Sequence, residues 1–418
     1  MSDHKQDIKY EDYIDSPLLQ SIFPEPIYNY MHLSGERTAE MLGDTWNKNI
    51  TKNTERLFGK HRTVGEDLLG YARNKAVIIV GAGPSFNKNK DILKAIYEYN
   101  LTFAPTQEPF VIIASNHQLK PLLEMGIHPH LTFVVDGGNH FRDHFINLKT
   151  DMKCVMVANL ACDHKMLKRW DRDGHLISFF MGDSEKNREY CKDTLNVDPD
   201  KVCCFTGGNV LNCGFAVAMR FLHSHFIIVL GNDLSFPMAE DIDERRKGFY
   251  ADGDYKTQDG KKDEAKNEIA WMAYEHEGRS TIEPSLQLIN YNKVLTSRQL
   301  LIYKAWIEMH VAKWSQVENL RFRYYNCSEG GICGVLALNH DKKFMESKEN
   351  WTLMDEIAPG RWFTKPLVDA FQDFMEIKQC LTPTVIPGSA GNVVNLQAKT
   401  DIVKGVAQVG QNRIITSL

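Results

Sequence analysis

Six short runs of consecutive apolar residues, rich in β-branched side chains and mostly uninterrupted, punctuate the middle of the chain at Ala76 to Val80, Phe110 to Ala114, Leu131 to Val135, Cys154 to Ala158, Leu176 to Phe180 and Phe226 to Leu230. Runs of this kind, without polar alternation, suit strands buried on both faces. Helical segments separate them, as the crossovers of a parallel sheet require. The pattern predicts an α/β fold: a Rossmann-like, mostly parallel sheet with flanking helices. Residues 1–75 are polar with scattered aromatics, and Asn47 to Leu69 contains few helix breakers, so a helical N-terminal cap is expected there. The nucleotide-binding domain then spans 76–338, and 339–418 form a C-terminal extension of unknown role, with a helix expected at Pro366 to Gln379.

One stretch breaks the alternation. Residues 237–280 are dense in charges of both signs and read as an insertion, either a solvated loop or a lid over a site. A helix follows, marked by Thr296 and Gln299 as a capping box and by Leu301, Ala305, Met309 and Ala312 on one face. A late strand is expected at Arg321 to Tyr325, followed by the turn Asn326 to Gly331.

Composition narrows the class. A chain of 418 residues supports two or three domains, or one with large elaborations. Its net charge of -5 supplies no broad basic field, so nucleic acid is not an expected partner. Nine cysteines without a CxxC pair, behind a polar N-terminus, point to reduced thiols in the cytoplasm. No apolar run approaches the ~20 residues that span a bilayer.

The strongest chemical signal is Gly81-Ala82-Gly83-Pro84-Ser85, directly after the first buried run. Glycines let a backbone approach a phosphate, and N–H groups opening a helix favour an anion. Pro84 has no N–H, which leaves Ser85 and Phe86 as expected donors, with the Ser85 hydroxyl beside them. The alternative is a tight turn without a ligand. Polar clusters follow three other runs: Ser115-Asn116-His117, Asp136-Gly137-Gly138-Asn139 and Gly231-Asn232-Asp233. In a parallel sheet these share one edge, where open sheets bind ligands. Thr206-Gly207-Gly208-Asn209 opens a small-residue helix and reads equally as a second anion cradle or a close helix–sheet contact.

These segments resemble the Maf motility-accessory-factor and MptE-like domain family, itself similar to the bacterial sialyltransferases. Ile78 to Phe86 is similar to the family's IVGAGPSL turn, and the resemblance continues in order through Asn47 to Asn53, Leu122 to His130, Thr206 to Asn209, Gly231 to Phe236 and Asn326 to Gly334. It implies a nucleotide-dependent transferase. Maf proteins are associated with moving nonulosonic, sialic-acid-like sugars from CMP donors to flagellin hydroxyls. MptE proteins move pyrophosphate from ATP to a hydroxymethyl-dihydropterin with Mg²⁺. The donor implied is therefore a CMP-sugar or ATP, with a protein as one implied acceptor. By the same resemblance Asn116 and Asp233 contact the nucleotide or the transferred group. A hard cation favours carboxylate oxygens, so in the Mg²⁺ case Asp136 or Asp233 would hold the ion, Asp136 being the expected ligand.

The resemblance fails at one place. Where the family carries a Thr-His element, this chain has Pro237 to Glu240 and the charged stretch. His276 is the one histidine between Asp233 and the helix near Thr296, and it becomes the expected acid–base catalyst beside Asp233. Without the element, a degenerate member that binds a nucleotide or a partner without turnover is a third reading.

Overall fold

The computed structural model describes residues 42–104, 106–138, 144–145, 148, 153–204, 207–237, 250–251, 271–274, 293–296, 298–316, 322–333 and 362–381. All six apolar runs are inner strands of one sheet: β2 Ala76–Val80, β3 Phe110–Ser115, β4 Leu131–Val134, β5 Val155–Asn159, β6 Ile177–Gly182 and β8 Phe226–Leu230. They are joined by β1 Arg62–Thr63 and β7 Cys203–Cys204, both pairing with β6, and by β12 Arg323–Asn326 and β13 Trp362–Thr364 beyond β8. The order is β1-β6-β5-β4-β3-β2-β8-β12-β13, and every pairing is parallel.

Side chains alternate strictly between two cores, as a period of two dictates. Val77, Ile79, Val111, Ile113, Ile227 and Val229 face one side, and Ile78, Val80, Ile112, Ala114, Ile228 and Leu230 the other. Helices cover both. We number them α1 42–53, α2 Phe86–Asn100, α3 Asn116–Glu124, α4 His164–Arg172, α5 Glu185–Asp193, α6 Val210–Arg220, α7 Arg298–Gln316 and α8 Leu367–Leu381. α2, α3, α4 and α8 contribute to one core, and α6 and α7 to the other. α8 reaches its core through rings: Phe371 stacks on Phe110 at 5.4 Å and Phe374 meets it edge-on at 5.1 Å.

Several expectations are adjusted. The helix predicted through Leu69 ends in a π turn, Thr54–Phe58, because Arg62 and Thr63 pair with Ser178 and Phe179. A capping box does occur there, between Thr63 and Glu66, rather than at Thr296. Thr296 closes β11 (Lys293–Thr296), and its hydroxyl donates to the Leu234 carbonyl at 2.9 Å. β11 forms a small antiparallel sheet with β9 (Phe236–Pro237) and β10 (Trp271–Tyr274), so one strand lies inside the stretch read as an insertion and another runs into its first residue. α7 buries Leu300, Lys304, Ile307, Glu308 and Val311, while the side chains of the expected stripe, Leu301, Ala305, Met309 and Ala312, lie outside the described ones. Lys304 meets both Glu308 oxygens at 2.5 and 2.6 Å, an ion pair shut away from water. Among the described residues no helix is long and apolar enough to cross a membrane.

Candidate functional site

From β2 the chain winds outward through β3, β4, β5 and β6, then returns to lay β8 on the other side of β2. Successive connections leave β2 and β8 in opposite directions, and a crevice opens at such a switch point beyond the carboxyl ends of the strands. The two turns singled out in the sequence, 81–85 and 231–233, are the ones that meet there.

They meet by direct backbone contact. Gly81 N–H donates to the Leu230 carbonyl at 2.8 Å and Gly83 N–H to the Gly231 carbonyl at 2.9 Å. A Cβ on Gly81 would lie 2.5 Å from the Gly231 oxygen, and one on Gly231 would lie 2.6 Å from the Gly81 oxygen. The Asp233 carboxylate then accepts from Ser85 N–H at 2.8 Å and also from the Ser85 hydroxyl. Phe86 N–H goes back to the Gly83 carbonyl at 3.0 Å. A cradle at the start of α2 is thus present, and in this structure its anion is the protein's own Asp233. The donors expected to face a phosphate, at Gly83, Ser85 and Phe86, are all engaged internally.

The turn after β12 locks this arrangement from behind. Ile332 N–H donates to the Asp233 carbonyl at 2.8 Å, Asn232 N–H to the Ser328 hydroxyl at 3.0 Å, and the Asn89 amide of α2 to the Cys327 carbonyl at 2.9 Å. Gly331 sits at φ +79° with its position for a Cβ only 2.2 Å from the Asp233 Cα, so only glycine fits.

Gly207 and Gly208 are also left-handed, at φ +62° and +80°. Their open sides are filled by Trp306 and Tyr303 of α7, each 2.6 Å from where a Cβ would stand. Asn209 caps α6 by accepting from Asn212 N–H at 2.8 Å. These contacts are with helices rather than with the sheet; Thr206 lies outside the described residues.

On the other flank, α1 covers the ends of β4 and β5. The Asn49 amide donates to the Gly137 and Ala161 carbonyls at 3.1 and 3.0 Å, and the Asn53 amide to those of Leu160 and Cys162 at 2.8 and 2.9 Å. With both its N–H groups so used, Asn53 turns its oxygen to His164 Nδ1 at 2.9 Å.

Between these two closed regions stands the end of β3, with Asp136 of the neighbouring turn, and here polar groups are left over. The Asn116 amide meets His144 Nδ1 at 3.1 Å. The His117 ring stacks on Tyr250 at 4.1 Å, with planes 17° apart, and meets His144 edge-on at 4.8 Å. The buried Ser115 hydroxyl and Gln118 amide nitrogen have no hydrogen-bond partner among the described residues. Asp136, just beyond β4, is half-buried, and loss of hydration pushes its carboxyl up to about 6. A carboxyl titrating there can take or give a proton near neutral pH. Among the described residues no group of three His, Cys, Asp or Glu side chains is placed to hold a metal ion. His276 lies outside the described residues. His144 and Tyr250 were missed in the sequence because they belong to no local motif; tertiary packing alone brings them to Asn116 and His117.

Fold and site together define an open, doubly wound α/β domain with a polar cluster beside its switch point. Residues 48–238 match the family model described as 6-hydroxymethylpterin diphosphokinase MptE-like, the family that its motifs resemble. No curated protein matches the sequence. Among solved structures, the chain is similar to the MAf glycosyltransferase from Magnetospirillum magneticum AMB-1, with 14% identity and a TM-score of 0.41 over 74% of this chain. It spans 41% of that protein's length.

Proposed function

We propose that the protein is a nucleotide-dependent transferase that moves a nonulosonic, sialic-acid-like sugar from a CMP donor to a hydroxyl of a protein or glycan. The observation that carries this reading is Asp136, a desolvated carboxyl with its pKa raised to about 6, on the strand end next to the Asn116–His144 pair. Glycosyl transfer needs such a group. A base removes the acceptor hydroxyl proton, the oxygen bonds to the anomeric carbon, and CMP departs with the electrons of the broken bond. Asp136 is the base, and Asn116 positions His144 to donate to the leaving phosphate. Asp233 takes a positioning role, since its carboxylate holds Ser85 and fixes the crevice floor.

The description of the family model favours a second reading, a diphosphokinase acting on a pterin alcohol with ATP. Asp136 would then hold Mg²⁺ together with the substrate phosphates, since that ion is commonly bound by one or two carboxylates and phosphate oxygens. The ion would supply charge neutralisation at the transferred phosphate.

A thermal-shift panel of CMP, CDP, ATP and GTP, with and without Mg²⁺, separates the readings, because a ligand that binds only the folded state raises its melting temperature. The sugar-transfer reading expects a CMP shift that does not need Mg²⁺. A shift by ATP only with Mg²⁺ moves the assignment to the diphosphokinase. Nucleotide binding without turnover against any acceptor marks a degenerate member. His276→Ala belongs in the same turnover assay: wild-type rates remove that histidine from the mechanism.

A further inference from the structure

We infer that the His117 ring is the platform on which the donor's nucleobase stacks, and that Tyr250 is the side chain that occupies this platform until the nucleotide arrives. The inference rests on the transferase reading and names how that site recognises its donor.

Two observations converge on it. The first is the stack itself. Tyr250 lies nearly parallel to His117 at 4.1 Å, and Tyr250 belongs to the charged stretch rather than to the sheet or its helices. Its neighbour Ala251 is pinned to the crevice turn, donating its N–H to the Ala82 carbonyl at 2.8 Å and accepting from the Asn87 amide at 3.0 Å. Tyr250 and Ala251 are thus anchored beside the phosphate-type turn, with the Tyr250 ring laid over the strand end next to it.

The second observation is independent of rings. The same four-residue strand end carries the Ser115 hydroxyl and the Gln118 amide nitrogen, buried and without hydrogen-bond partners among the described residues. A buried polar group without a partner is costly, and native proteins retain such groups where a ligand or ordered water completes them. A flat heterocycle with donors and acceptors on its edge meets both requirements: its face satisfies the imidazole, and its edge satisfies the amide and hydroxyl. A base is the part of a nucleotide with that chemistry, and base–aromatic stacking is strong and tolerant of base identity.

The test uses the full chain and isothermal titration with CMP and with ribose 5-phosphate, which lacks the base. His117→Ala is expected to weaken CMP about tenfold or more and to leave ribose 5-phosphate unchanged, while His117→Phe, which keeps a ring, restores CMP binding. Tyr250→Ala is expected to tighten CMP several-fold, because the ligand no longer displaces a resident ring. Equal CMP affinity in wild type and His117→Ala overturns the platform while leaving the transferase reading in place. Weaker CMP binding by Tyr250→Ala overturns the resident-ring assignment. If neither wild type nor Tyr250→Ala binds CMP, ATP or GTP, the transferase reading itself falls, and the platform with it.

Discussion

Replacing Gly83 by alanine tests how the switch point is closed. In a phosphate-binding turn an added methyl would obstruct the ligand and leave the fold intact. Here the new carbon would stand 2.7 Å from the Asp233 carboxyl carbon, 2.7 Å from the Gly231 carbonyl oxygen and 2.9 Å from Asp233 Oδ1. The backbone oxygen cannot retreat, since Gly231 is itself pressed against Gly81. Overpacking of this kind costs about 1–3 kcal/mol. Driving Asp233 off Ser85 adds about 1–3 kcal/mol for buried polar groups left without partners. Gly83→Ala is therefore expected to lose about 3 kcal/mol, which lowers the melting temperature by roughly 6–10 °C in a domain of this size. Gly43→Ala is the control, because nothing lies within 4 Å of its added carbon. It should melt at or slightly above the wild-type temperature, alanine being the better helix former by roughly 1 kcal/mol. Differential scanning calorimetry of the three proteins decides the matter. Should Gly83→Ala melt with the control, the Asp233 contact does not set the turn, and the turn is again available to a ligand.

Asp136→Asn should stabilise the protein in a pH-dependent way: a carboxyl raised from 3.8 to about 6 on folding costs nothing below pH 4, and its penalty grows between the two values and is complete above about 6. Melting temperatures of the two proteins should coincide near pH 4 and diverge by pH 7; parallel curves refute a desolvated carboxyl. Lys304→Met takes the ammonium away from the buried Glu308 carboxylate, an expected loss of about 3–5 kcal/mol in urea unfolding, and Lys304→Met with Glu308→Leu should recover most of it. No recovery in the double variant would mean that the pair does more than neutralise itself. Asn53→Ala strips partners from two buried carbonyls and from His164, for about 2–4 kcal/mol, whereas Thr51→Ala on the exposed face of α1 should cost under ~0.5 kcal/mol. Equal losses would show that α1 is not clamped through Asn53.

The inner strands were legible because burial on both faces leaves an unbroken apolar run, and β2 and β8 begin and end where those runs do. Strands such as β9 and β10 were not, since a few residues beside a charged stretch carry no period long enough to read. The π turn after α1 depends on Arg62 and Thr63 finding β6, a pairing that local propensity does not encode. The site divides in the same way. The sequence located the crevice turn and the polar strand ends, because glycine and Asx residues after strands are local signals. It could not tell that Asp233 fills the cradle, nor that His144 and Tyr250 arrive at Asn116 and His117, because these contacts join residues far apart in the chain.

The placement of β8 beside β2 also bears on how the protein is made. At a synthesis rate of about 5–20 residues per second, β8 follows β2 out of the ribosome by roughly 7–30 s. Through that interval Val77, Ile78, Ile79 and Val80 can complete only the β3 side of their ladder. A wholly apolar strand therefore spends its first seconds with one edge unpaired, an edge that invites pairing with another chain. Expression at lower temperature, or with chaperones that shield strand edges, should raise the yield of folded protein more than any change near the termini, because the vulnerable edge is the one that becomes the centre of the sheet.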